Sequence, residues 1–228
     1  MGSVGVTVQE GYSLWADVYD HQGNPLIELE ECLVEPLLAK IEGRRVLDAG
    51  AGTGRYALKL ARRGSRVTAI DPNPEMLGVA KRAAGREHLD IEFIQAGIEH
   101  GLPVEAGLYD LAVCALVLCH VPGLADVARE FHRALRPGGL LLITDFHPDT
   151  LAKGVETQLE RDGVTYRLPN EPHTRDTYLD AVEGAGFELV EMLELPTRKA
   201  DRERFSDEYW LELADTNFCM IILAQKRS

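Results

Sequence analysis

The sequence predicts an α/β fold, a mostly parallel sheet with helices on both faces. Three observations carry this. Short apolar runs alternate with amphipathic segments from Arg45 to Phe146, and strands alternating with helices imply right-handed crossovers and parallel pairing. The first run enters a glycine loop, "VLDAGAGTGR" at Val46 to Arg55, with glycines at 50, 52 and 54. The second run ends on a carboxylate, Asp71, placed 21 residues after Gly50.

The elements follow in order. "YSLWADVY" is a short aromatic segment, and the stretch to Lys40 carries apolar residues at helical spacing around Leu26, Leu29, Leu33, Val34, Leu37 and Leu38. Asn24 caps that helix, with Pro25 at its first position. "RRVLDAG" is a buried strand, "GRYALKLARRG" a helix ended by Gly64, and "SRVTAIDP" a second strand. "PEMLGVAKRAAG" is a helix, "IEFIQAG" a third strand, and "YDLAVCALVLCHV" a fourth at least to Ala115. "LADVAREFHRALRPGG" is a helix stopped by Pro137, and "LLLITDF" a fifth strand. The rhythm then breaks: residues 147–173 fit no strand-helix unit and hold a short helix and a strand or hairpin near "GVTYRL". It resumes with a helix at "RDTYLDAVEGAG" and a strand at "FELVEMLEL". The charged Pro196 to Leu213 stretch reads as surface, because both signs are mixed, and "FCMIILAQK" is a final strand.

The bulk numbers set limits. A chain of 228 residues suits one large domain, or one with an insertion. The net charge of −13 disfavours a nucleic-acid or anionic-membrane partner. No apolar stretch reaches membrane-spanning length, and the start lacks a basic region followed by an apolar run, so a cytoplasmic location is expected. The four cysteines, Cys32, Cys114, Cys119 and Cys219, form no CxxC pair. They read as free thiols in a reducing compartment. Cys114, Cys119 and His120 as metal ligands is the weaker alternative, and no metal is expected.

The glycine loop narrows the ligand. A dinucleotide fingerprint would place a glycine where Arg55 stands, and no GKS or GKT completes a triphosphate loop. Asp71 suits both hydroxyls of an unphosphorylated ribose. Asp48, just before the glycines, opposes a pyrophosphate and suits a cationic ligand.

These features resemble the class I S-adenosylmethionine-dependent methyltransferases of small-molecule type. "VLDAGAGTGRYALKLARRGSRVTAIDPNPEML" is similar to their first motif and its sequel. "YDLAVCALVLCHVPGLADVAREFHRALRPGGLLLITDF" is similar to the later motifs, with "LRPGG" before the fifth strand. The resemblance implies a Rossmann-like seven-stranded sheet of order 3-2-1-4-5-7-6, last strand antiparallel, with a small cap. It divides one domain into N-terminal lid helices (1–40), a cofactor core (45–146), a cap insertion (147–173) and a C-terminal helix and strand pair (174–228). S-adenosylmethionine is the implied cofactor and S-adenosylhomocysteine the product. Gly50, Gly52 and Gly54 would admit the methionine part and ribose, Asp48 the ammonium, and Asp71 the ribose hydroxyls. Pro72, Met76, Gly97 and Ile98 would flank the adenine, Ile98 standing where many relatives carry an acid. Ala115 and Leu116 would line the methyl-donor pocket, and Tyr19 would cover the methionine carboxylate.

For the acceptor, two histidines follow strand ends or precede a helix in the right region: His147 and His173 contact the acceptor, one as base or orienting group, or else cap local turns. His120, Trp15 and Tyr166 are further substrate-side candidates. The expected activity is methyl transfer to a small molecule, at an O, N or C atom. A tRNA- or protein-directed methyltransferase, a nicotinamide-dependent oxidoreductase and a non-catalytic S-adenosylmethionine-binding subunit are the rivals. A homodimer is compatible with all of these.

Overall fold

The computed structural model describes residues 2–21, 24–39, 44–197, 203, 210 and 213–227. The alternating region folds as β2 (Arg45–Ala49), α3 (Arg55–Arg62), β3 (Arg66–Asp71), α4 (Pro74–Arg86), β4 (Ile91–Gln95), β5 (Tyr109–Ala115), α5 (Leu124–Ala134) and β6 (Leu135–Phe146). It is preceded by β1 (Gly2–Gly5), α1 (Val8–Trp15) and α2 (Pro25–Leu38). It is followed by α6 (Pro148–Ala152), β7 (Thr157–Arg161), β8 (Val164–Leu168), α7 (Arg175–Gly184), β9 (Phe187–Pro196) and β10 (Asn217–Lys226). Most of the charged stretch from Pro196 to Leu213 lies outside the described residues.

The main sheet runs β4-β3-β2-β5-β6-β10-β9, with β10 antiparallel to both neighbours. In order of the seven strands this is 3-2-1-4-5-7-6, as the resemblance implied. Successive residues face opposite sides, so strands covered on both faces are apolar throughout. Val46 packs with Leu26, Val34, Tyr56 and Leu60 of α2 and α3. Its neighbour Leu47 packs with Phe131 of α5 and Tyr178 and Val182 of α7. The side chains of Asn24 and Asn73 cap α2 and α4 by accepting from Leu26 and Met76 N–H groups. At "LRPGG" the helix stops three residues before Pro137 and β6 begins at Leu135. The proline cannot continue the helix, and Gly139 passes so near the Tyr109 and Arg136 carbonyls that a Cβ would lie 3.1 and 2.9 Å from them.

Above the sheet sits a smaller one, β1-β8-β7. Strands β7 and β8 form the hairpin expected near "GVTYRL". Its two-residue turn places Asp162 at φ 53° and Gly163 at φ 75°, the positive angles that such hairpins need. The pairing of β1 parallel to β8 carried no signal in the sequence analysis. Helix α1 lies on this sheet, where Trp15, Leu159 and Leu168 bury one another with Tyr12, Tyr19 and Tyr166 alongside. Of the two N-terminal helices expected as lids, only α1 joins the cap. Helix α2 presents Leu26, Val34 and Leu38 to the core beneath, beside Phe218, Cys219 and Ile221 of β10. Among the described residues no helix is long and apolar enough to cross a membrane.

Candidate active site

A cavity of about 610 Å³ opens over the carboxyl ends of β2, β3 and β5, between the sheet and α1. Crevices outside these strand ends are where open α/β sheets take ligands. Its floor is the glycine loop. The Gly50 and Ala51 N–H groups donate to the Ile70 carbonyl at 2.8 and 2.9 Å, tying the loop to the end of β3. Gly50 has φ 77°, and a Cβ there would overlap the Val117 side chain. Only glycine satisfies both demands. The Gly52 N–H donates to Asp71 Oδ2, and the Asn73 N–H to Asp71 Oδ1, each at 2.8 Å. Burial raises the Asp71 carboxyl above its ordinary value, and those two bonds oppose the rise.

Asp48 turns its Oδ2 to the Ala57 N–H at 2.8 Å, capping the first turn of α3 from beneath. Burial pushes its carboxyl up to about 7, against the pull of that bond and of the Arg55 charge. Arg55 lines the cavity from the first position of α3. Its guanidinium meets Glu30 of α2 at 2.5 Å and Glu31 at 3.3 Å, and lies 4.4 Å over the Tyr56 ring. Glu30 is fully buried and also accepts from Thr144 Oγ1 at 2.6 Å. The cation is thus matched by a carboxylate behind it.

The sequence-derived residues divide. Tyr19, Asp48, Gly50, Gly52, Asp71, Pro72, Met76, Gly97, Ile98, Ala115, Leu116 and His120 all line the cavity. Gly54 does not: it is the N-cap of α3 at φ 87°, and a Cβ there would stand 3.0 Å from Ala80 Cβ. Its smallness serves the close approach of α3 to α4. Trp15 and Tyr166 also lie off the cavity, packed into the cap cluster. Neither His147 nor His173 lines it. His147 is buried at the start of α6, accepting the Asp149 N–H on Nδ1 at 3.1 Å. Its proton therefore sits on Nε2 and is donated to Glu194 at 3.0 Å. His173 Nε2 donates to the Val121 carbonyl at 2.8 Å and packs edge-on to Tyr178. Both are clamps between segments, which corrects the expectation that they meet an acceptor.

Residues passed over as site candidates in the sequence also line the cavity, among them Tyr12, Thr53, Arg55, Tyr56, Asn73 and Glu99. Glu99, the residue after Ile98, places an acid on the lining, its oxygens 2.6 Å from where a Gly97 Cβ would be. Leu116 follows β5 at φ 59°, an angle rare outside glycine, and its N–H donates to the Thr144 carbonyl at 2.8 Å. Tyr12 leaves α1 toward the cavity, and its hydroxyl lies 3.1 Å from His120 Nε2. His120 Nδ1 lies 2.8 Å from the Pro169 carbonyl. Burial lowers the His120 pKa. The turn carrying His120 is held by Asp145, whose Oδ2 accepts the Cys119 N–H at 2.7 Å and the Tyr178 hydroxyl at 3.0 Å. Helix α1 is tied to the start of α4: Gln9 donates to the Pro72 carbonyl, and Asn73 to the Gln9 carbonyl and to Ser13 Oγ.

This combination of a 3-2-1-4-5-7-6 sheet with a glycine loop and carboxylates at two strand ends defines the class. The chain belongs to the class I S-adenosylmethionine-dependent methyltransferases. Residues 47–143 match the family described as "Methyltransferase domain". A protein of Xanthomonas axonopodis pv. citri named ubiquinone biosynthesis O-methyltransferase is 33% identical over 175 residues, covering 76% of this chain and 72% of that protein. One of the same name from Methylocella silvestris is 45% identical over 101 residues, 44% of this chain, which here spans 39% of that protein's length. Among solved structures, a methyltransferase of Listeria monocytogenes described as S-adenosylmethionine dependent superposes with a TM-score of 0.70 at 18% identity. That match covers 89% of this chain and all of that one, and it shows the fold. The cofactor of the family is S-adenosylmethionine.

Proposed function

We propose that the chain transfers a methyl group from S-adenosylmethionine to a small-molecule acceptor bound in the same cavity. The observation that carries the reading is the loop itself: a glycine cradle that a Cβ would fill at Gly50, flanked by Asp48 and Asp71. These residues fit the donor. Asp71 has lone pairs beyond those given to Gly52 and Asn73, and they suit the ribose hydroxyls. Met76, Gly97, Ile98 and Glu99 suit the adenine, and Asp48 and Tyr19 the methionine end. Bound there, the sulfonium supplies an already activated methyl group. The protein's part is to align the acceptor and exclude water. Tyr12, Tyr19, Leu116, Val117 and His120 would form that second compartment beneath α1.

A small acceptor fits the enclosure by α1 and the cap, and the net charge of −13 opposes a polyanionic one. The cap comprises residues 2–19 and 157–168, and the other described residues belong with the core of a single domain. The reading takes the chain as cytosolic, and a homodimer is compatible with it. Calorimetry with S-adenosylhomocysteine and with NAD tests the cofactor half. Tight binding of NAD alone would reject the reading, as would S-adenosylhomocysteine binding unaffected by Asp71→Ala.

A further inference from the structure

We propose that Asn73 is a positioning residue: its side-chain amide fastens α1 to the core beside Asp71, so that filling the donor site completes the wall of the acceptor compartment. This rests on the methyl-transfer reading above.

Asn73 stands two residues after Asp71 and is 2% exposed. Every hydrogen-bonding group it has is engaged. Its N–H donates to Asp71 Oδ1 at 2.8 Å, and its carbonyl accepts the Leu77 N–H at 3.1 Å. Its side-chain Oδ1 accepts the Met76 N–H at 3.0 Å, which caps α4. The two hydrogens on Nδ2 go to α1, towards the Gln9 carbonyl at 3.0 Å and Ser13 Oγ at 2.9 Å. These partners fix which way the amide points, because an N–H can only donate and a carbonyl can only accept. Ser13 Oγ donates onward to Glu75 Oε2 at 3.1 Å.

Asparagine suits this place better than the other capping residues. Aspartate and serine cap a helix as well as asparagine does. Aspartate, however, brings no donor for α1, and the serine hydroxyl ends a bond short of where Nδ2 lies. The other bonds between α1 and the start of α4, from Gln9 Nε2 to the Pro72 carbonyl and from Ser13 to Glu75, are exposed. Water can replace an exposed bond, whereas a buried amide left unpaired costs its desolvation. The Asn73 bonds are therefore the ones that decide whether α1 stays docked.

The placement of Asn73 also couples α1 to the donor. Asp71 accepts from the Gly52 and Asn73 N–H groups, and its remaining lone pairs suit the ribose hydroxyls. A ribose held there steadies the carboxylate, and with it the backbone that aims the Asn73 amide. On the other side, Tyr12 precedes Ser13 on α1 and lines the cavity, as does Tyr19 beyond the end of that helix. Docking α1 thus brings both rings over the acceptor compartment. The coupling is reciprocal: a filled donor site holds α1, and a docked α1 holds the donor.

Hydrogen exchange of the full chain, with and without S-adenosylhomocysteine, tests this. In the wild type the ligand is expected to slow exchange in the glycine loop and in α1. Asn73→Ser keeps a capping oxygen, adds no charge and withdraws both donors from α1. It is expected to keep the ligand's protection of the glycine loop and to lose that of α1. S-adenosylhomocysteine should also dissociate about tenfold faster, the order expected for one buried hydrogen bond lost. Ser13→Ala changes only the cap side and is expected to weaken the protection of α1 alone, and it decides the matter if Asn73→Ser does not fold. Protection lost equally from loop and helix would mark a purely structural residue and overturn the proposal. So would a wild-type α1 that the ligand does not protect, or α1 protection that survives both substitutions. In each of these cases S-adenosylhomocysteine binding by the wild type leaves the methyl-transfer reading standing, and its absence there removes both.

Discussion

On the core side of the cavity, the contacts that shape the glycine loop are made close to strand ends. Gly50 and Ala51 bond to Ile70, Gly52 to Asp71, and Asp71 to Asn73. On the cap side the partners are far apart in sequence: β1 pairs with β8, Arg161 bonds to Asp17 at 3.0 Å, and Tyr12 reaches His120, whose other nitrogen meets Pro169. The core half is built by backbone geometry that only particular residues allow. The cap half is built by side chains that many sequences could supply. Local constraint leaves a pattern that can be read, and long-range meeting does not.

Substitutions can break this contrast. The largest effect is expected for Gly50→Val, which combines a positive φ with overlap on Val117. It should cost about 3 kcal/mol in stability and remove cofactor binding, measured by denaturant unfolding and calorimetry. Gly11→Val attacks the cap equivalently, because a Cβ at Gly11 would lie 2.5 Å from Leu168. About 2 kcal/mol of strain should loosen α1 while the main unfolding transition stays in place. Hydrogen exchange should rise in α1 and β8, not in β2 or β3; a uniform rise would refute the separation of cap from core.

His147→Ala sharpens the division between chemistry and support. Loss of a buried imidazole that bonds to Glu194 should lower stability by about 1–3 kcal/mol, with turnover per folded molecule unchanged. The smallest effect is a pH dependence at Asp48. Its carboxyl is raised from an ordinary 3.8 to about 7 by burial. The protonated form therefore favours the folded protein: that stability is full below pH 3.8 and is lost as pH rises through about 7. A cationic ligand favours the ionised form, so S-adenosylmethionine affinity should fall as pH drops below about 7, by at most about tenfold per unit. Asp48→Asn should flatten that slope, as read by calorimetry between pH 6 and 8.

The histidines show where legibility ended. His147 and His173 follow strand β6 and precede α7, positions suited to an acceptor site, yet each bonds to a neighbouring segment instead. His120 was only one of several candidates. Nothing local distinguishes it, because its two partners lie 108 and 49 residues away. Gly54 erred in the other direction: it looks like a ligand glycine, and Ala80 of α4 shows it to be a packing one. Arg55 was noticed as a missing glycine. That it enters the cavity required Glu30, 25 residues earlier, to be brought beneath it.

By itself the sequence determined the sheet, its order through the family resemblance, the glycine loop and the two carboxylates that suit an adenosyl ligand. Periodicity, caps and positive-φ glycines are local, so they are written along the chain. The tertiary structure decided which histidine faces the cavity, which nitrogen of it meets the Pro169 carbonyl, and that the cap joins residues 2–5 to 164–167. Those outcomes depend on segments meeting across the fold, where the energy lies in the pair and neither member carries a mark of it.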